Sequence, residues 1–286
     1  MTMRKKFFVM AALALGTFMS VTLTSCGDDE EPTPQQQQEQ GNGDNNGNDN
    51  GGDNGGDNGG QSGEAKTPEG LEAVDLGLPS GTLWANMNVG AMSPYGYGQY
   101  FAWGETVPYG GEDQTNATNY AYAGTYTKTY YDWDTYKYCN GSNNTLTKYC
   151  NNSEYGNNGF TDNLTELTTA DDAAYVNWGS EWRMPTIEQM LELINSNYTT
   201  SEFVEQGRVV GRKITSKTNG NSIFLPAAGV FSKSRLSSGS GYYWSRTLDT
   251  SNPGYARYMG VSGGGFSTNW GWACWSGNSV RPVRNQ

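Results

Sequence analysis

Short segments with strand signals dominate the C-terminal third of the chain, where turns rich in Gly, Ser and Asn separate them. Two apolar runs lie earlier, at Thr82–Ala85 after a Leu-Pro-Ser-Gly turn and at Tyr100–Gly104. The pattern predicts a domain rich in β-strands. The predicted C-terminal strands are Arg208–Thr215, Ser222–Leu225, Tyr242–Arg246, Tyr255–Val261 and Ser279–Arg284.

Two helices are predicted ahead of these strands. Thr186 and Gln189 fit a capping box, which marks a helix start. A shorter helix is predicted from Asp171 to Val176. Two helices followed by a series of strands favour an α+β domain, and the polar segment Asn116–Asn163 is predicted to form long surface loops. Apolar residues of the longer helix follow at i, i+3, i+4 and i+7, on one predicted face: Ile187, Met190, Leu191 and Ile194.

The N-terminus has the pattern of a secretory signal. Arg4–Lys6 is a short basic start, and the apolar run Phe7–Phe18 follows it. This run is too short to cross a bilayer, since a spanning helix needs about 20 apolar residues. We therefore predict that residues 1–25 are a signal peptide and that the protein is exported.

The end of the signal peptide resembles a bacterial lipobox, with Leu-Thr-Ser before Cys26. The resemblance implies cleavage before Cys26, acylation of this cysteine and membrane attachment through the lipid. The alternative is an ordinary signal peptide with a chance cysteine. The acidic run Gly27–Glu31 resembles the surface-export signal of Bacteroidota lipoproteins. We therefore predict an outer-membrane lipoprotein displayed on the cell surface, with attachment on the periplasmic side as the alternative.

Residues 26–66 are predicted to be a tether. From Pro32 to Lys66 the chain is mostly Gln, Asn, Gly and Asp, and such a segment cannot bury enough apolar surface to offset its ordering entropy. A Gly-rich coil of this length spans on the order of 30 Å. Residues 67–286 remain, enough for one domain with a sizeable core.

Composition excludes several classes of function. The formal charge is −11, and loss of the three basic residues of the signal peptide takes it to −14. A nucleic-acid partner needs a basic surface and is therefore not expected. The chain has no histidine, which excludes a Ser-His-Asp triad and His-ligated zinc. We predict no metal and no cofactor.

The domain contains three cysteines, Cys139, Cys150 and Cys274. Export permits disulfides, and Cys139 and Cys150 flank a stretch rich in Asn, Gly and Ser. They are predicted to form either a local bridge or two free thiols. Cys274 has no evident partner in the sequence.

Five ordered motifs resemble the domains named for the Fibrobacter succinogenes major paralogous family, which occur in gut Bacteroidota lipoproteins. The resemblance covers residues 74–284, nearly the whole predicted domain. It implies a C-type-lectin-like fold, in which two helices pack on a twisted, mainly antiparallel sheet with long loops. Trp84, Trp182 and Trp244 are predicted to lie in the core because large aromatics dominate packing. The motifs are Val74–Ala91, Trp178–Thr186, Leu225–Gly229, Gly241–Ser245 and Ser279–Val283.

Catalysis is not expected. The C-type-lectin-like fold also houses formylglycine-generating oxidases, whose Arg-Leu-Pro-Thr motif resembles Arg183–Thr186. Those enzymes use a pair of C-terminal cysteines, whereas this chain has only Cys274 there and no histidine to activate it. An oxidase relative is therefore a lesser alternative.

Two carboxylate pairs occur in the domain, and neither predicts a catalytic site. Asp132 with Asp134, and Asp171 with Asp172, could suggest a glycosidase, but acids at a helix start are better explained by capping. Calcium-dependent sugar binding uses Glu-Pro-Asn or Gln-Pro-Asp loops, and the sequence contains neither. We therefore expect no calcium site of that kind.

The candidate ligand-binding segment is Asn269–Asn278, which is crowded with Trp among small residues. Flat aromatics with small polar neighbours suit recognition of a glycan or a protein. The alternative is that these tryptophans cap the core. We predict an adhesin-like monomer, with a fimbrial or matrix component as the second hypothesis. The predicted contact residues are Asn269, Trp272, Cys274, Trp275 and Asn278.

Overall fold

Two short helices and several antiparallel sheets, with more sheet than helix, make up the computed structural model, which describes residues 67–108, 130–268 and 271–286. The predicted α+β class is confirmed. Cys26 and the tether lie outside the described residues. The elements are β1 (Ala73–Asp75), β2 (Leu83–Ala85), α1 (Ala173–Trp178), α2 (Ile187–Leu193), β3 (Thr199–Gln206), β4 (Val209–Ser216), β5 (Ser222–Pro226), β6 (Val230–Ser232), β7 (Arg235–Ser237), β8 (Gly241–Leu248), β9 (Tyr255–Ser262), β10 (Gly265–Ser267), β11 (Gly271–Ala273) and β12 (Val283–Arg284).

The strands form four sheets within the described ranges. The first has the order β1-β2-β12, and the second has the order β3-β4-β5. In the third, β9 pairs with β8, β10 and β11, and the fourth is the β6-β7 hairpin. All of these strand pairs are antiparallel.

Four of the five predicted C-terminal strands are confirmed as β4, β5, β8 and β9. The fifth was predicted too long, since only Val283–Arg284 forms a strand there. The Tyr100–Gly104 prediction is wrong, because this segment contributes only an isolated bridge from Phe101 to Asn278. Strand β3 was not predicted, and its mostly exposed residues show why no apolar pattern marked it. The three-residue strands β1, β6, β7, β10 and β11 were not predicted either.

Helix α2 begins as predicted. The Thr186 hydroxyl accepts a hydrogen bond from the Gln189 backbone N–H at 3.2 Å, and the Gln189 side chain accepts one from the Thr186 N–H at 2.9 Å. The predicted face is wrong at Leu191, which is 45 % exposed, whereas Leu193 is buried. The buried face is centred on Met190, and one further residue turns Leu191 by about 100° away from it.

Two hydrophobic clusters cover opposite faces of the β8-β9 pair. Trp244 belongs to the larger cluster and its neighbour Tyr243 to the smaller one, because successive strand residues point to opposite faces. Helix α2 packs into the smaller cluster through Met190. The predicted core tryptophans Trp84, Trp182 and Trp244 are all buried.

The described part of the predicted loop segment has no β-strand, but it is not only surface. Tyr131 is fully buried and donates its hydroxyl to the Tyr100 carbonyl at 2.7 Å. The Tyr136 hydroxyl likewise donates a hydrogen bond to the Trp103 carbonyl at 3.0 Å. A tyrosine can bury its ring when its hydroxyl finds a partner, and these residues therefore fasten the loops to the core.

One buried cation joins the ends of the domain. Arg281 has no exposed surface, and its guanidinium donates to the Asn88 side-chain oxygen at 2.8 Å, the Ala85 carbonyl at 3.2 Å and the Phe224 carbonyl at 2.8 Å. These contacts connect the C-terminal segment to β2 and β5. None of the helices in the described ranges has the length and apolar character needed to cross a membrane.

Candidate functional site

Three aromatic side chains lie together on one face of the sheet formed by β8, β9 and β11. Tyr242 and Trp272 have ring centroids 4.9 Å apart, and Tyr258 lies 5.4 Å from Trp272 and 5.9 Å from Tyr242. Strand register brings them together, because Trp272 is opposite Ala256 and Tyr242 is opposite Gly260. Residues 256, 258 and 260 of β9 share one face. We call Tyr242, Tyr258 and Trp272 the aromatic cluster.

The aromatic cluster is half-buried. Tyr258 is buried, whereas Tyr242 and Trp272 are partly exposed and pack their remaining surface against the larger core cluster. Trp275 is also partly exposed and packs against the same core. Each of the two predicted tryptophans therefore combines core packing with a face that a ligand can reach.

Two of the predicted contact residues lie inside the domain, which corrects the sequence prediction. Cys274 is 1 % exposed, and its carbonyl accepts a hydrogen bond from the Trp103 N–H at 2.8 Å. Asn278 is fully buried, and its backbone exchanges two hydrogen bonds with Phe101. Side chains without solvent exposure cannot meet a ligand at the surface. Asn269 lies outside the described residues.

No family model, curated protein or solved structure matches this chain. The candidate site therefore rests on its own geometry.

Cys139, Cys150 and Cys274 form no disulfide in the described part of the chain, so the predicted local bridge is not present. The Cys139 thiol donates to the Trp133 carbonyl at 3.0 Å, and the Cys150 thiol donates to the Asn152 carbonyl at 3.1 Å. Of the two predicted alternatives, the structure has the two thiols.

Cys274 is poorly placed for nucleophilic chemistry. Burial raises the pKa of its thiol well above the ordinary value of 9.0, outweighing a hydrogen bond with Tyr136 that lowers it. The reactive form of a cysteine is the thiolate, and a thiol that is both buried and protonated is inert.

We expect iodoacetamide at pH 8 to leave Cys274 unmodified in the folded protein and to alkylate it fully after denaturation, because its thiolate is suppressed and shielded. Mass spectrometry of the peptide that contains Cys274 measures this. Cys139 is partly exposed and serves as the internal control that reacts first. Alkylation of Cys274 in the native protein as fast as that of Cys139 would contradict its burial.

Three of the four acids of the candidate pairs, Asp132, Asp171 and Asp172, have structural partners. Asp172 caps α1, as predicted, by accepting hydrogen bonds from the N–H groups of Ala174 and Tyr175. Asp132 accepts a hydrogen bond from the Thr135 N–H at 3.0 Å and closes a turn. Within the described ranges, no three or more Cys, Asp or Glu side chains form a group that could hold a metal ion.

Asp171 is the centre of a buried ionic network. Burial acts to raise the pKa of its carboxyl, but hydrogen bonds from Lys148, Tyr138 and Tyr149 outweigh it and lower the pKa to about 2. The Tyr149 hydroxyl donates to one carboxylate oxygen at 2.6 Å. Asp171 therefore stays ionised and holds the loop that carries Lys148 against the segment preceding α1.

Sequence reasoning missed Tyr242 and Tyr258 as members of the site. Both lie in strands that were predicted, and neither stood out as a surface residue. What identifies them is the pairing register of β8, β9 and β11. This register depends on three separate strands and cannot be inferred from the residues of any one of them.

Proposed function

We propose that this chain is a lipid-anchored, non-catalytic surface protein whose domain binds a glycan or a protein through the aromatic cluster. The observation that carries the proposal is the close grouping of Tyr242, Tyr258 and Trp272, whose ring centroids lie within 5.9 Å of each other and of which Tyr242 and Trp272 are partly exposed. Flat aromatic side chains supply a large, rigid contact area at a low cost in conformational entropy.

The proposed anchor is acylated Cys26 at the outer membrane, supported by the basic start, the short apolar run and the lipobox-like residues. An acidic, Gly-rich tether between Cys26 and the domain would hold the binding surface away from the membrane. Its acidic start supports display on the outer face of the cell.

The proposed fold family is C-type-lectin-like. Support comes from the two helices, the antiparallel sheets and the loops held by buried tyrosines. The tryptophans of three of the family-like motifs, Trp84, Trp182 and Trp244, are buried as the resemblance requires of scaffold residues. A scaffold of this kind leaves the ligand-facing residues on the sheet surface and its neighbouring loops.

We expect Trp272→Ala to weaken binding at least about thirtyfold, because truncating an anchor tryptophan at a hot spot costs about 2 kcal/mol or more. The purified chain is first screened on a glycan array and a protein array, and affinity for the strongest ligand is then measured by calorimetry. Packing of Trp272 on the core adds a loss of stability, so the variant is measured at a temperature where circular dichroism shows it folded.

The matched control is Tyr198→Ala. Tyr198 is a partly buried aromatic residue, but it packs against the smaller core cluster, away from the aromatic cluster. This variant loses comparable packing and is expected to keep its affinity. Equal affinity of folded Trp272→Ala and the parent protein would refute binding through the aromatic cluster.

A further inference from the structure

A concave surface, which shares no residue with the aromatic cluster, lies beside the α1–α2 connection. It is a polar groove of about 730 Å³ between this connection, the β2-β12 pair and the middle of β8. Three arginines line it, namely Arg183, Arg246 and Arg284. We call it the arginine groove.

Each guanidinium of the arginine groove is held by one carboxylate. A pairing of this kind limits the rotation of the arginine side chain and leaves its remaining N–H groups available to another acceptor. Each pair has an N···O distance of 3.0 Å: Arg183 with Asp172, Arg246 with Glu166, and Arg284 with Glu181.

Arg183 has the most buried carboxylate partner of the three arginines. Its Nε bonds to Asp172, which is fully buried and also accepts the backbone N–H groups of Ala174, Tyr175 and Met184. These bonds fix the position of the Asp172 carboxylate, which in turn orients the Arg183 guanidinium. In the part of the chain that the structure describes, the two terminal amino groups of Arg183 have no hydrogen-bond partner, although the side chain is only 30 % exposed.

The shape of this donor selects the chemistry of the ligand. The terminal N–H groups of a fixed guanidinium match the two oxygens of a planar carboxylate. The lining carries three arginines and two glutamates, a net side-chain charge of +1, which suits a single carboxylate better than a multiply charged anion. Apolar lining is confined to Leu83 and Val283, which disfavours a hydrophobic acid.

The rest of the lining suits hydroxyl groups. Ser180, Asn285 and Gln286 contribute a hydroxyl and two amides that can donate and accept hydrogen bonds. A groove of this volume is large enough for a small oligosaccharide. We propose that the arginine groove binds an acidic sugar, a uronic acid residue, whose carboxylate accepts hydrogen bonds from Arg183 and whose hydroxyls contact the polar wall.

To test this, the whole chain is titrated with sodium D-glucuronate, and binding is measured by calorimetry and NMR. We expect saturable binding of glucuronate and at least tenfold weaker binding of methyl glucoside, which has the same ring without the carboxylate. Sodium acetate is the second control, because it has the carboxylate of glucuronate without the sugar ring. Acetate binding as tight as that of glucuronate would show a carboxylate site with no contribution from the sugar, and would overturn the proposal.

Two variants locate the site. Arg183→Lys should weaken glucuronate binding about tenfold or more, because lysine lacks the forked pair of N–H groups, and it keeps a cation beside buried Asp172 so that the fold survives. Arg246→Gln should weaken it by a similar factor, because the change removes a positive charge from the groove and leaves Glu166 unpaired beside the bound carboxylate. The matched control Arg235→Gln removes an exposed arginine outside the groove and should leave binding unchanged. If Arg183→Lys fails to fold, Arg246→Gln decides the question alone.

The result is independent of the proposed aromatic site. Trp272→Ala should leave glucuronate binding unchanged, because Trp272 does not line the arginine groove. Unchanged affinity in both folded groove variants, or equal affinity for glucuronate and methyl glucoside, would refute the groove proposal. Loss of glucuronate binding in Trp272→Ala alone would place the acidic sugar at the aromatic cluster instead and would also refute it.

Discussion

Replacement of Arg281 by methionine is expected to lower the free energy of unfolding by about 3 kcal/mol or more. Methionine fills much of the space but has no donor, so the Asn88 side-chain oxygen and the carbonyls of Ala85 and Phe224 lose their partner inside the protein. Each buried acceptor left unsatisfied costs about 1–3 kcal/mol. The whole domain has only about 5–15 kcal/mol of stability, so this single change is large.

The guanidinium is charged in this buried position. Burial lowers the pKa of Arg281 to about 10, still far above neutral, so the three acceptors face a cation at pH 7. In the described residues no carboxylate pairs with it, and neutral oxygens alone receive its N–H groups. Hydrogen bonds that involve a charged donor are roughly twice as strong as neutral ones. Their loss therefore outweighs the benefit of removing a buried charge.

Urea denaturation followed by tryptophan fluorescence measures the Arg281 effect. The matched control is Arg235→Met, which removes an exposed arginine and should change stability by less than about 0.5 kcal/mol. A change below about 1 kcal/mol for Arg281→Met would show that the three acceptors find other partners, and that Arg281 does not hold the ends of the domain together.

Replacement of Asp171 by asparagine is expected to cost about 2 kcal/mol at pH 7 and almost nothing near pH 2. The folded-state pKa of about 2 lies below the ordinary value of 3.8. The ionised carboxylate therefore stabilises the fold above about pH 4, and that contribution disappears as the pH falls through about 2. Asparagine keeps the shape of the side chain but offers no charge to Lys148.

Urea denaturation of the parent protein and Asp171→Asn, repeated from pH 2 to pH 7, tests this prediction. It gives the free energy of unfolding of both proteins at each pH. We expect the two curves to converge at low pH. Asp134→Asn removes an exposed acid on the neighbouring loop and should run parallel to the parent curve. A constant difference between parent and Asp171→Asn across the whole pH range would mean that the charge of Asp171 contributes nothing.

The sequence predicted the helix caps because each cap involves residues only a few positions apart. The capping box of Thr186 and Gln189 and the N-cap of Asp172 need only neighbours along the chain, and both are present in the structure. Strands β4, β5, β8 and β9 were likewise marked by their own residues and turns. The burial of Trp84, Trp182 and Trp244 followed from residue type alone, since large aromatics dominate cores.

Tertiary structure decided which side chains face solvent and which meet. Cys274 and Asn278 lie beside partly exposed tryptophans in the sequence but inside the domain, because their backbone bonds to Trp103 and Phe101 draw that segment into the core. Leu191 turned outward because the buried face of α2 is centred on Met190. Such outcomes depend on packing partners far along the chain.

The sequence by itself therefore determined the α+β class, the presence of both helices, the strands β4, β5, β8 and β9, and the core tryptophans. Only the tertiary structure brought Tyr242, Tyr258 and Trp272 into one cluster and placed Arg183, Arg246 and Arg284 around one groove. The physical reason is that hydrogen bonds within a helix or turn join near neighbours, whereas strand register and side-chain packing join residues that the chain separates by tens of positions.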